Sequence, residues 1–313
     1  MLYDLAAPAK LNLFLHVVGR RPDGYHLLQT IFRLIDLSDS LDVDTRRDGK
    51  IVRDTDMLGV AHDDDLVVRA AKALQQQTGS KLGAQIRVRK RIPSGAGLGG
   101  GSSDAATVLI ALNRLWQTGL SRQDLMQLGL SLGADVPVFI FGQNAFAEGI
   151  GEKLTALELP EQAYLVVQPA QHVPTQGIFQ DPDLTRNTDP VKIMDFSGHQ
   201  ITGCGITADL GFGRNDLQPV VLKRYPVVQQ ALDWLNQAEC SASGFKARMT
   251  GSGSCLFISF PDATLAEDAR QRMLAKISTD FSDTAKADML NPIQSMTVCK
   301  GLDVHPLQDW FDS

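Results

Sequence analysis

The sequence predicts a mixed α/β (α+β) protein of two domains. Three observations carry that expectation. The chain has 313 residues, enough for about two domains at ~150 residues each. Strand-like and helix-like segments alternate along it. A glycine-rich segment also sits between a period-2 strand and a long helix. Hydrophobic residues make up 43% and charged residues 21% of the chain. Those values exclude a disordered or fibrous chain, and a chain of this length can bury a large core without disulfide or metal staples.

The elements follow in order. The apolar runs at residues 11–18 and 30–37 read as buried strands. Residues 65–77 read as a helix, with Asp64 or Asp65 as its N-cap, Leu66, Ala70, Ala73 and Leu74 as its apolar stripe, and Gly79 as its stop. Ala84, Ile86 and Val88 alternate with Gln85, Arg87 and Arg89, the pattern of a half-buried strand. Helices are expected over 102–117 and over 121–132, the second opened by a capping box of Ser121 and Asp124 and closed near Gly133. The stretch around Pro160 marks a boundary, which gives domains 1–160 and 161–313. Beyond it, 164–168, 255–260 and 295–299 read as strands, and 227–238 and 265–277 as helices. Residues 180–209 are polar and rich in Pro, Asp and Thr, and are expected to form a surface excursion.

Composition also excludes several functions. Cys204, Cys240, Cys255 and Cys299 lie 36, 15 and 44 residues apart. With no C-x-x-C pair, neither a zinc ribbon nor a thioredoxin-like motif is expected, and scattered thiols in a chain this size suit a reducing, cytoplasmic compartment. The formal net charge of −6 argues against a dedicated nucleic-acid binder. No apolar run approaches the ~20 residues of a membrane span, and the start, Met1-Leu2-Tyr3-Asp4, lacks the basic and apolar regions of a signal peptide.

The most informative segment is Pro93-Ser94-Gly95-Ala96-Gly97-Leu98-Gly99-Gly100-Gly101-Ser102-Ser103, with five glycines in seven residues. Glycines let a backbone come close to a ligand, and the helix that follows offers free N–H groups and a positive dipole end. Together they make an anion site, phosphate being the usual anion. The dinucleotide fingerprint fails, because a helix stands where its acidic strand end should be. The mononucleotide P-loop fails because Gly101 stands where its lysine should be, and the protein-kinase motifs are absent. A nucleotide-phosphate loop of another class remains.

Pro93 to Ala106, with its GLGGGSSDAA core, resembles the phosphate loop of the GHMP kinases. Pro8-Ala9-Lys10-Leu11-Asn12-Leu13 and Thr250-Gly251-Ser252-Gly253-Ser254-Cys255 resemble two further motifs of that family, in the right order. The segments GRRPDGYH (19–26), GADVPVF (133–139) and Val173-Pro174-Thr175 with Phe179 are similar to the branch acting on a cytidine-diphosphate-linked alcohol. The resemblance runs from Ala7 to about Gly301, and 188–209 reads as an insertion.

The resemblance implies a two-domain GHMP-kinase fold with the active site in the interdomain cleft. It implies ATP and Mg²⁺, and a cytidine-diphosphate-linked methylerythritol phosphorylated on its tertiary 2-hydroxyl, in the non-mevalonate route to isoprenoid precursors. It implies no nucleic-acid or membrane partner, and a monomer or homodimer.

Asp135 would be the catalytic base; the alternative is an N-cap before Val136-Pro137. Lys10 would pair with it and face the γ-phosphate, against the alternative of an exposed lysine. Asn12 shares the strand face of Lys10 and would orient substrate hydroxyls. Tyr25, His26 and Phe179 would hold the cytidine, and Thr175, Thr250 and Gly251 would complete the substrate side. Asp65 stands where the family commonly has Asn at the adenine pocket, so an adenine contact and a plain N-cap both stay open. Arg87, Arg89, Lys90 and Arg91 would either draw in phosphates or cover a strand face. Ser102 or Ser103 could supply a metal oxygen, and the metal ligands stay unassigned. Two other readings compete. Another GHMP kinase is opposed by Asp23-Gly24-Tyr25-His26, and a non-catalytic binding module by the Lys10 and Asp135 pairing.

Overall fold

Two long antiparallel strands, β1 (Leu2–Arg20) and β2 (His26–Arg46), form the spine of the molecule. A tight turn joins them, with Arg21 N–H donating to Tyr25 O at 2.7 Å and Gly24 N–H to Arg21 O at 3.0 Å. The expected strands at 11–18 and 30–37 lie within these two, in the second half of β1 and the middle of β2. Outside those runs, Leu2–Pro8 of β1 pairs with residues 38–43 of β2, and the end of β2, Ser40–Arg46, also pairs with β4 (Gly83–Arg89). The computed structural model describes residues 1–54, 61–192, 213–239, 246–280 and 291–311.

On the N-terminal side, β2 pairs with β4 (Gly83–Arg89) and with the short β5 (Ala145–Glu148), while β3 (Ile51–Arg53) and β6 (Lys153–Ala156) extend the edges. Helices α1 (Leu66–Thr78), α2 (Gly100–Leu115), α3 (Arg122–Leu130) and α4 (Val136–Phe141) belong to this side. Val67, Leu74, Val108, Leu109 and Phe139 form one core with Leu41, Val43 and Ile86 of the sheet. The end signals read from sequence hold. Gly79 closes α1 in the left-handed region, and Ser121 with Asp124 forms the capping box of α3. Helix α2 starts two residues earlier than expected, because Gly100 and Gly101 are already in its first turn.

The C-terminal side has β7 (Ala163–Pro169) at its centre, flanked by β9 (Leu256–Phe260) and β10 (Ile293–Leu302), with β8 (Arg248–Met249) beyond β9. Among the described residues, helices α5 (Thr175–Phe179), α6 (Gln218–Arg224), α7 (Pro226–Glu239) and α8 (Ala263–Asp280) belong to this side. Leu165, Val167 and Ile258 meet Val228, Leu235, Ala266 and Met273 in a second core. Of the polar excursion, 181–192 is described and has no helix or strand, while 193–209 lies outside the described residues, as do Cys204 and Cys240.

The two sides are knitted together at a seam. Strand β10 pairs with β2 at Gly301 with Ile35 and Leu302 with Leu34. A small core of Ala9, Leu11, Ile35, Leu98, Tyr164 and Phe257 fills the junction. The chain crosses the 160/161 boundary in both directions: Leu307 packs into the first core, and Leu15 and Val17 into the second. Among the described residues no helix is long and apolar enough to cross a membrane.

Candidate active site

A cleft of about 1050 Å³ opens along the seam. One wall is the glycine loop. Pro93 to Gly97 and Gly99 to Ser102 line the cleft, whereas Leu98 and Ser103 are buried behind it. The loop is held from both sides. Lys10 N–H donates to Leu98 O at 3.0 Å, and Cys255 N–H donates to Ala96 O at 3.2 Å. The second bond joins the loop to the Thr250–Ser254 turn of the C-terminal side. Gly97 is where this closeness demands glycine. Its φ is +78°, and a Cβ there would lie 2.3 Å from Thr250 O. The first-turn N–H groups of α2 and this cradle fit a polyphosphate.

Lys10 and Asp135 meet in the cleft, with Nζ to Oδ2 at 3.3 Å. The lysine side chain is only 3% exposed and the aspartate 37%, so the carboxylate is open to a ligand while the cation, largely buried, lines the cleft beside it. Asp135 holds the N-cap position of α4, yet its side chain makes no cap hydrogen bond. The structure thus favours the ion pair over the cap. Strand alternation puts Lys10 and Asn12 on one face, and Lys10 Nζ donates to Asn12 Oδ1 at 2.6 Å. Asn12 Nδ2 in turn donates to Thr30 Oγ1 at 2.9 Å. Both ends of that amide are engaged within the protein, so Asn12 holds the Lys10 ammonium in place. The Lys10 ammonium also lies 5.3 Å from the Phe32 ring centroid, a cation–π contact.

The far end of the cleft carries Tyr25, His26 and Phe179. The His26 and Phe179 rings are 5.3 Å apart at 34°, while Tyr25 is 59% exposed at the rim. Burial, then the charges of Arg186 and Arg20, hold the His26 imidazole below its usual pKa. Thr175 also lines this end, its hydroxyl 2.7 Å from Ser252 Oγ. Gly251 and Ser252 line the cleft, but Thr250 is buried behind them, where its Oγ1 accepts from Asn12 N–H at 2.8 Å. Thr250 is a tie between the two sides and not a cleft contact.

One expectation needs correction. Asp65 does not reach the cleft. Its Oδ1 caps α1 by accepting from Val67 N–H at 2.9 Å, its Oδ2 pairs with Arg53, and it is 6% exposed. Leu66 faces the cleft in its place. Of the basic run, which was open between drawing in phosphates and covering a strand face, Lys90 lines the cleft, while Arg87 pairs with Asp54 at 3.5 Å on the strand face. Lys90 pairs with Asp39 and with Asp104 at 2.7 Å, and Arg89 pairs with Asp42 at 2.8 Å and Asp4 at 2.5 Å. Burial works against the Lys90 charge, but Asp104 and Asp39 outweigh it and hold its ammonium above the usual range. Burial pushes the Asp104 carboxyl up.

Sequence reasoning missed Thr30, Phe32 and Ser252. Only Ser252 had a signal, its place in the T-G-S-G-S run. Among the described residues no group of three or more His, Cys, Asp or Glu is placed to hold a metal ion. The Ser102 hydroxyl and the open Asp135 carboxylate are oxygens in the cleft wall. That sparse set suits Mg²⁺, which takes one or two protein oxygens and fills the rest with phosphate and water.

Known proteins match this architecture. The GHMP kinases N terminal domain matches residues 65–143, and the GHMP kinases C terminal domain matches 206–278. A 4-diphosphocytidyl-2-C-methyl-D-erythritol kinase of Bordetella parapertussis is 57% identical over 315 residues, spanning 100% of this chain and 99% of the relative. One of the same name from Ralstonia pickettii is 57% identical over 85% of this chain and 88% of the relative. The crystal structure of a 4-(cytidine 5'-diphospho)-2C-methyl-D-erythritol kinase superposes with a TM-score of 0.73 at 31% identity, covering 95% of this chain and 98% of that one. The L. major mevalonate kinase in complex with R-mevalonate has a TM-score of 0.61 at 16% identity, over 97% of this chain and 96% of that one, and shares the fold.

Proposed function

The chain belongs to the GHMP kinase family, and within it to the 4-diphosphocytidyl-2-C-methyl-D-erythritol kinases; from that premise we propose how its cleft performs the transfer. It is a phosphotransferase of the non-mevalonate route to isoprenoid precursors, and kinases of this family use ATP. We assign the acceptor as the tertiary 2-hydroxyl of the methylerythritol unit.

ATP lays its phosphates along the glycine loop, against the N–H groups at the start of α2. The acceptor oxygen attacks the γ-phosphorus in line. The bond from that phosphorus to the bridging oxygen of ADP breaks, and the hydroxyl proton passes to the Asp135 carboxylate. Lys10 stands beside the reacting centre and offsets charge on the transferring group. Mg²⁺, when bound, would supply charge neutralisation at the transferring phosphates, and the Ser102 hydroxyl and the Asp135 carboxylate are the cleft oxygens that would hold it. Asn12 keeps Lys10 aimed. Thr175, Gly251 and Ser252 border the acceptor, and Tyr25, His26 and Phe179 take the cytidine.

One observation carries this reading: the 3.3 Å Lys10–Asp135 pair sits at the end of the loop, with the carboxylate released from capping. We place the ATP loop in a unit of residues 1–160 and the turn that closes the cleft in 161–313. We propose a monomer or a homodimer. A cytoplasmic setting suits an ATP-dependent reaction, and the buried Cys255 and Cys299 thiols agree with it, burial pushing the latter up to about 12.

An ADP-release assay with several acceptors tests the assignment. Turnover is expected with the cytidine-diphosphate substrate. It should be very poor with methylerythritol phosphate, homoserine or mevalonate. Turnover with homoserine but not with the cytidine compound would overturn it.

A further inference from the structure

The polar stretch after α5 contains one arginine whose donors converge on the cytidine end. Arg186 Nε donates to His26 Nε2 at 3.1 Å. Its Nη2 donates to Phe179 O at 3.2 Å and Asp181 O at 2.6 Å, and its Nη1 donates to Leu184 O at 3.0 Å. The segment is itself anchored, because Thr188 N–H donates to Val17 O at 3.1 Å and Thr188 Oγ1 to Asp216 Oδ2 at 2.6 Å. One guanidinium therefore ties together the two aromatic rings that face each other across the cleft end.

A guanidinium has donors only. The His26 nitrogen that meets it must present its lone pair, so in the neutral ring the proton is on Nδ1. Burial and the Arg186 and Arg20 charges both favour that neutral ring. Among the described residues Nδ1 has no hydrogen-bond partner, and His26 lines the cleft.

Resting on the cytidine-end reading above, we infer that Arg186 is a positioning residue that locks His26 as an Nδ1–H donor and so makes the site prefer cytosine to uracil. The pairing edge of cytosine offers acceptors at N3 and O2. Uracil carries a hydrogen on N3, which would face another donor. A ring free to take either tautomer could turn an acceptor to uracil, whereas a ring held by Arg186 cannot. The arginine touches neither reacting atom and acts through His26 and the end of α5.

The test pairs a spectroscopic reading with kinetics on the full-length enzyme. Two-bond ¹H–¹⁵N spectra of the histidine rings, with His26 assigned by its loss in His26→Gln, should show the Nδ1–H tautomer in the wild type. Arg186→Met should shift the ring toward Nε2–H. It should lower kcat/KM for the cytidine substrate about three- to tenfold, the loss of one neutral hydrogen bond, and leave KM for ATP unchanged. The preference over the uridine-diphosphate counterpart, about tenfold or more in the wild type, should narrow. An Nε2–H ring in the wild type overturns the inference without needing any variant to fold. So does an Arg186→Met enzyme that keeps both tautomer and preference. If His26→Gln leaves kcat/KM intact, the cytidine-end reading itself falls and takes the inference with it.

Discussion

Asp135 occupies a position where sequence chemistry offers two uses, and the geometry separates them. A capping aspartate spends its oxygens on backbone N–H groups. This one spends an oxygen on Lys10 and leaves the first turn of α4 uncapped by its side chain. Asp65 is the converse, a proposed ligand contact whose two oxygens go to a cap and an arginine. The motif made Lys10 and Asp135 legible. Arg53 as a partner of Asp65 was not, because strand edges bring together residues twelve apart with no local signal. At this scale Phe179 is the sharpest probe of substrate choice. Phe179→Ala removes one stacking face, worth ~1–3 kcal/mol by analogy with base–aromatic stacking. At ~1.4 kcal/mol per tenfold, kcat/KM for the cytidine substrate should fall roughly five- to 150-fold. KM for ATP should stay put, since the glycine loop lies at the other end. A drop in thermal midpoint with unchanged kcat/KM would make Phe179 a core aromatic only.

Elements with their own end signals were readable in the sequence. The capping box of α3 and the Gly79 stop of α1 are local chemistry, and they place the helices within two residues. The full lengths of β1 and β2 were not read: Asp4 and Pro8 interrupt the start of β1, and the end of β2 was overlooked although Leu41 and Val43 alternate with Asp42 and Asp44 and are buried, with Ser40–Arg46 paired to β4. The start of the six-residue α4 was offered by Asp135 before Val136-Pro137 but its length was not, and the five-residue α5 was missed. Such short helices show less than two turns of periodicity. The glycine loop was legible as a phosphate cradle, but its second duty was not. It docks on the Thr250–Ser254 turn through a contact that a Cβ at Gly97 would occupy. Gly97→Ala should therefore raise the dissociation constant for ATP and lower the thermal midpoint together, because one substitution disturbs both cradle and seam. Calorimetric ATP titration beside a thermal melt checks this. Weakened ATP binding with an unchanged melt would mean that the loop does not hold the seam.

The whole molecule depends on a chain end that returns. Residues beyond β10 pack into the first core through Leu307, with His305 N–H donating to Gly142 O at 2.8 Å. The His305 ring is buried, and its Nδ1 accepts from Leu307 N–H at 3.0 Å. Burial, then the Arg122 charge, lower its pKa to about 4. The unfolded chain therefore binds more protons than the folded one between about 4 and the ordinary 6.5. The stabilising contribution is complete above about 6.5 and is lost as pH falls through about 4. At ~1.4 kcal/mol per pKa unit it is worth up to ~3 kcal/mol. His16 and His26 are lowered too, burial leading in both, and act in the same direction. Urea unfolding of the wild type should show lower stability at pH 5 than at pH 7.5. His305→Gln should flatten that difference, and an unaltered slope would remove His305 from the account.

The same seam that the returning end secures brings a phosphate loop, a cation and an open carboxylate to one point, and the proposed chemistry depends on that convergence. The most direct test is the turnover of Asp135→Asn, measured by ADP release with saturating ATP, Mg²⁺ and the cytidine-diphosphate substrate, beside a thermal melt of the same protein. Loss of a positioned base predicts kcat lower by ~10²–10⁴-fold in a variant that still folds, its melt lowered only by loss of the Lys10 ion pair because the side chain makes no cap bond to lose. Near-normal turnover in the folded variant would contradict it, and the proton would have to leave by a route that does not use Asp135.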